Sequence, residues 1–193
     1  MIAIIKYNAG NIKSVQNALD RLGQESIITD NRDAILNADR VIFPGVGEAG
    51  SAMKYLREKQ LDKTILNITQ PFLGICLGLQ LMCSESEESD TTCLGIFESK
   101  VRKFPPQDLV PHMGWNNLNT IKATRLLNKI TAKNDFYFVH SYFAESGKDT
   151  VATCNYITEF GAVMQRDNFF ATQFHPEKSS DFGVQILKNF IEL

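Results

Sequence analysis

The chain has 193 residues, the size of one ordinary domain and enough to bury a self-sufficient core. Hydrophobic residues make up 44% and charged residues 22%, the balance expected of a globular protein in water. The formal net charge of -2 gives no electrostatic reason to expect nucleic acid or an anionic membrane as a partner. The apolar start, Met1 to Lys6, is too short for a secretory signal. No stretch approaches the ~18 to 20 apolar residues of a membrane span, so a cytoplasmic protein is expected. Cys76, Cys83, Cys93 and Cys154 form no C-x-x-C pair, and none of the three histidines closely flanks a cysteine. That pattern predicts free thiols, no metal site and no cofactor.

In chain order, Ile2 to Tyr7 reads as a strand. Asn11 to Leu22 reads as a helix, with Ile12, Val15, Ala18, Leu19 and Leu22 at helical spacing and Gly23 as its stop. Glu25 to Thr29 and Arg40 to Phe43 are the next strands, the latter running into Pro44-Gly45-Val46-Gly47. Glu48 to Leu56 reads as a helix, Pro71 to Ile75 as a strand and Leu77 to Cys83 as a helix. This alternation predicts one α/β domain over 1–193 with a mainly parallel sheet and helices on both faces. Phe136 to Phe143, Val151 to Tyr156, Gly161 to Gln165 and Phe169 to Phe174 read as strands with few helices between, an antiparallel extension of the same sheet. A helix from about Phe182 to Ile191 ends the chain. The acidic run Ser84 to Asp90 reads as a solvated face and carries no role.

Gly74-Ile75-Cys76-Leu77-Gly78 follows an apolar strand and opens a helix. That is the setting of a nucleophile elbow, a sharp turn that projects one side chain at the top of the sheet. The flanking glycines make room where strand and helix crowd together. Unpaired N–H groups at the helix start favour an anionic sulfur on Cys76, and the N–H of Leu77 is placed to hold an oxyanion. Taken alone, G-x-C-x-G fits a buried cysteine in a glycine-rich turn equally well.

His175-Pro176-Glu177 ends the strand Phe169 to Phe174. Proline keeps the residue before it extended, and residues two apart in an extended chain point the same way. Glu177 can then orient one nitrogen of His175 while the other faces Cys76, the logic of a catalytic triad. For this tripeptide alone, a surface histidine beside a solvated glutamate is the simpler account. The conjunction with a cysteine elbow and a glycine-rich strand end favours the triad. His140, read as mid-strand, and His112, in an irregular proline-flanked stretch, fit a base less well.

These blocks resemble the class I, or triad, glutamine amidotransferases: Pro44-Gly45-Val46-Gly47, Gly74 to Gln80, and Gln173-Phe174-His175-Pro176-Glu177-Lys178-Ser179. Pro111-His112-Met113-Gly114-Trp115-Asn116, Tyr137 to Tyr142 and Tyr7 to Ile12 narrow the resemblance to the glutaminase subunits of imidazole glycerol-phosphate synthase. It spans essentially the whole chain. It implies Cys76 as nucleophile, His175 as general base and acid, and Glu177 as orienter. Val46, Gly47 and Leu77 would form the oxyanion hole, with a regulated peptide flip at Val46. Gly47, Gln80, Ser141 and Tyr142 would hold glutamine. The implied partner is a cyclase subunit of (β/α)8 fold, forming a heterodimer, with Asn11, His112, Met113, Trp115 and Lys178 on or near the interface. Two alternatives stay open at this point: a paralogous glutaminase serving a sugar-amidating synthase, and a non-catalytic interaction subunit.

Overall fold

The computed structural model describes the backbone of residues 1–193 and every side chain except those of residues 120 and 121. The first half runs β1 (Ile2–Ile5), α1 (Ile12–Arg21), β2 (Ser26–Thr29), α2 (Arg32–Leu36), β3 (Arg40–Gly45), α3 (Ala49–Glu58), α4 (Leu61–Leu66), β4 (Phe72–Cys76) and α5 (Leu77–Met82). The second half is richer in strands: β5 (Glu85–Ser86), β6 (Thr91–Thr92), β7 (Lys100–Lys103), β8 (His112–Asn117), β9 (Asn119–Ile121), β10 (Asp135–His140) and β11 (Tyr142–Ala144). It closes with β12 (Thr150–Tyr156), β13 (Thr158–Arg166), β14 (Phe169–Thr172) and α6 (Ser180–Ile191).

One sheet of eight strands organises the molecule, in the order β2-β1-β3-β4-β14-β13-β12-β9. Strands β2 to β14 in that order are parallel, and β13, β12 and β9 add on antiparallel. Because side chains alternate across a strand, each central strand feeds two cores. Ile2, Ile4, Ile42, Leu73 and Ile75 face α1 and α6, meeting Val15, Leu19, Ile186 and Phe190. Ala3, Ile5, Val41, Phe43 and Phe72 face the other side, meeting Ala52, Leu56, Ile65 and Leu79. Burial on both faces explains why β1 and β4 read as unbroken apolar runs.

The expected extension is only partly one sheet. The run Phe136 to Phe143 is two strands that part at Ser141. β10 pairs with β8 in a separate two-stranded ribbon. β11 joins β7, β5 and β6 in a small four-stranded sheet, and the Ser141 carbonyl at the break accepts from Phe104 N–H at 3.0 Å. His112, expected in an irregular stretch, lies in regular β8 opposite His140. Helices α2 and α4 are too short to announce themselves by periodicity. Among the described residues, no helix is long and apolar enough to cross a membrane.

Candidate active site

The turn from β4 to α5 turns on Cys76, whose backbone has φ 53 and ψ −107. A non-glycine residue rarely adopts that conformation, which costs about 1–3 kcal/mol when it occurs. Close packing holds it there. A Cβ at Gly78 would lie 1.9 Å from the Phe43 carbonyl oxygen of β3, and one at Gly74 would lie 2.4 Å from Met82 Sδ. Helix and strand can approach this closely only because both positions lack side chains.

His175 follows β14, which pairs in parallel with β4, so Cys76 and His175 leave adjacent strand ends. His175 is extended, but Pro176–Lys178 coils into a 3-10 turn. The contact between His175 and Glu177 is therefore made, with Nδ1 to Oε1 at 2.7 Å, through a turn and not through the extended backbone expected. The turn is fastened to β10: His175 N–H donates to the Tyr137 carbonyl at 3.0 Å. Ser179 Oγ takes a bond from Tyr137 N–H at 2.9 Å and donates to the His175 carbonyl at 2.6 Å.

Both side chains of the pair are fully buried. Because carboxylate oxygen only accepts, Nδ1 carries the proton. Nε2 is buried without a partner among the described residues and is the nitrogen left for the Cys76 sulfur. Burial pushes the His175 imidazole down, but the nearby Cys76 sulfur, followed by the hydrogen bond and charge of Glu177, outweighs it and raises the ring above the ordinary histidine value. Asn11 also joins this group. Its amide stands 3.3 Å from His175 Nδ1 and donates to Glu177 Oε1. It sits at the start of α1 yet makes no side-chain cap there; its amide is turned to the carboxylate instead.

Cys76 opens onto a cleft of about 250 Å³ lined by Val46, Gly47, Leu77, Gln80, Glu88, Pro111, Val139, His140, Ser141 and Tyr142. Every substrate-holding residue expected from the sequence is on that wall. Glu88 is there too, although the acidic run containing it read as mere solvated surface. Its carboxylate accepts from Ala49 N–H at 2.8 Å, at the start of α3. Burial raises its pKa, the Ala49 bond opposes this and the nearby Glu48 charge adds to it.

On the outer side, Met113 and Trp115 of β8 are 63% and 55% exposed. Tyr137 stands beside them, 6.0 Å from Trp115 edge to face, with Lys178 Nζ 5.9 Å from its ring centroid. His112, also expected on or near the interface, is buried, stacked on Tyr156 at 4.0 Å and hydrogen-bonded to His140 at 3.1 Å. Its strand reaches the surface, but its side chain does not. Among the described residues, no group of three or more histidine, cysteine, aspartate or glutamate side chains could hold a metal ion.

The family model for glutamine amidotransferase class-I matches residues 3–193. The chain is 51% identical to imidazole glycerol phosphate synthase subunit HisH of Bacteroides fragilis, over all of this chain and 99% of that one. It is 46% identical to the subunit of the same name from Methanocaldococcus jannaschii, over the full length of both. Among solved structures, a glutamine amidotransferase shares the fold with a TM-score of 0.77 at 18% identity, covering 100% of this chain and 98% of that one. A second, from Thermotoga maritima, has a TM-score of 0.65 at 17% identity, covering 99% and 80%. Elbow, buried His–Glu pair and cleft thus lie on a shared fold and a sequence matched from end to end by its relatives: the chain belongs to the class I glutamine amidotransferases and, within them, to the family of imidazole glycerol phosphate synthase subunit HisH.

Proposed function

We propose that residues 1–193 act as one glutaminase domain that releases ammonia from glutamine for a cyclase partner in histidine biosynthesis. The observation that carries this reading is the strained cysteine at a helix start beside a buried histidine whose Nδ1 is 2.7 Å from a buried glutamate. Cys76 gives its proton to His175 Nε2 and attacks the side-chain amide carbon. The C–N bond breaks as His175 protonates the leaving nitrogen, and ammonia departs. Water then attacks the thioester, giving a proton to His175. The C–S bond breaks with its electron pair on sulfur, and glutamate leaves.

The tetrahedral oxyanion is held by the N–H groups of Leu77 and Gly47. The Val46 carbonyl accepts from Gly10 N–H at 3.0 Å, and in a trans peptide the N–H of the next residue points the opposite way. A flip of this peptide would exchange donor for carbonyl oxygen. Losing one oxyanion donor costs about 100- to 1000-fold in rate, which is enough for a partner to control turnover through Val46. In the same cleft, Glu88 receives the α-ammonium of glutamine, while Gly47, Ser141 and Tyr142 hold its carboxylate. The exposed face of Met113, Trp115 and Lys178 docks a (β/α)8 cyclase, forming a heterodimer in the cytoplasm.

The test is glutamate release from glutamine by the chain alone and with a histidine-pathway cyclase carrying its nucleotide ligand. Strong stimulation that vanishes in Cys76→Ala, with ammonia-dependent synthesis by the partner intact, is the expected result. Glutamine-dependent turnover in Cys76→Ala would remove the nucleophile assignment.

A further inference from the structure

Gln173 occupies no place in the mechanism above, yet its side chain is wholly buried and its Nε2 lies 3.6 Å from Cys76 Sγ. Which end of an amide faces a neighbour is settled by the hydrogen-bond network, and here the network leaves one solution. The Tyr142 carbonyl can only accept. Gln80 Nε2 stands 2.7 Å from it and must donate. The same Nε2 donates to Gln173 Oε1 at 3.1 Å. Gln173 is thereby fixed with its oxygen toward Gln80 and its N–H toward the sulfur.

The Tyr142 carbonyl is itself held from the other side. His140 Nδ1 donates to it at 2.8 Å, so a neutral His140 accepts at Nε2, and His112 Nδ1 donates there at 3.1 Å. His112 Nε2 then accepts from Asn116 Nδ2 at 3.3 Å, and the second hydrogen of that amide goes to the Asn155 carbonyl at 3.1 Å. Each ring and amide in the chain has one orientation, running from β8 to the reacting atom.

We propose that Gln173 is a further catalytic residue, whose side-chain N–H stabilises negative charge on the Cys76 sulfur. The interaction counts twice in the cycle: when the thiolate stands ready to attack, and when the C–S bond of the thioester breaks and its electron pair returns to sulfur. Gln80 and the His112–His140 pair act through it as positioning residues. This assignment rests on Cys76 being the nucleophile.

The experiment follows alkylation of Cys76 by iodoacetamide against pH in the full chain, read on the Cys76 peptide by mass spectrometry. In Gln173→Met, which keeps length and bulk but loses the donor, the midpoint of the rate curve should rise by about one pH unit, as expected for a hydrogen bond to a charged group. At any pH below both midpoints the rate should then fall roughly ten-fold. Gln173→Glu, which turns an anion toward sulfur, should move the midpoint further. If Gln173→Met does not fold, Gln80→Met keeps Gln173 while freeing its Oε1, and a smaller rise is expected. An unmoved midpoint in the folded variant overturns the role of Gln173. Wild-type Cys76 reacting no faster than the other buried cysteines would instead overturn the nucleophile itself.

Discussion

Glu88→Gln is a sharp probe of the cleft because it removes charge and little else. One carboxylate oxygen accepts from Ala49 N–H at 2.8 Å, and the amide oxygen of glutamine can keep that bond, so the start of α3 stays intact. What is lost is the charge offered to the α-ammonium of the substrate. A hydrogen bond to a charged group is worth about 1.5–3 kcal/mol. Glu88 stands at a partly open cleft, and solvent screening favours the lower part, about 1.5–2 kcal/mol. At 1.4 kcal/mol per decade this raises KM for glutamine roughly 10- to 30-fold. The ammonium lies at the opposite end of the substrate from the reacting amide, so the contact is the same in ground and transition states. Such a loss raises KM and spares kcat. Steady-state glutamate release in the presence of the cyclase measures both. In the wild type, KM should also climb on acidification from a higher pH than for an ordinary glutamate, because Glu88 is raised by burial. A KM within about two-fold of wild type, where 1.4 kcal/mol would give ten-fold, or a kcat loss at unchanged KM, would refute the assignment.

Gly78→Ala puts a Cβ 1.9 Å from the Phe43 carbonyl, and neither backbone can yield cheaply. Overpacking of this kind costs about 1–3 kcal/mol, or roughly 2–12 °C in Tm for a chain of this size, and should cut glutaminase activity as the Leu77 N–H shifts. Wild-type Tm and turnover would contradict the packing argument. Burial lowers His112 to about 4 and His140 to about 3, the latter against the Tyr142 hydrogen bond. Both lie below the unfolded value of about 6.5, so the unfolded chain takes up protons that the folded chain refuses. The contribution of these histidines to stability is therefore whole above about pH 6.5 and declines from there toward pH 4. Thermal melts across that range should show the decline, and His112→Asn should flatten it. A slope unchanged in that variant would contradict the burial account.

What the sequence made legible follows from how local each cause is. The elbow could be read because strand, glycines, cysteine and helix sit within a few residues, and the structure places all of them in that turn. The His175–Glu177 contact was legible for a partly mistaken reason: proline set the extended histidine, but the 3-10 turn that follows brings the glutamate round. Glu88 was hidden because a charge run carries no mark of which member is drawn under a distant helix. Gln173 was hidden because one amide in a buried β-strand end looks like any other until a carbonyl from β11, far along the chain, orients it. The split of Phe136 to Phe143 escaped as well, since both halves keep strand character and only the sheet they join differs. His112 looked irregular because Pro111 and Gly114 surround it, whereas pairing with β10 supplies the regularity.

The backbone at position 76 sets durability against chemistry. Glycine would adopt φ 53 without penalty, yet the chain places a side chain there. Relaxing that residue removes strain of about 1–3 kcal/mol and removes the nucleophile in the same stroke. A variant library screened for heat resistance alone would drift toward glycine at this position, arriving at a hardier protein that no longer turns over its substrate.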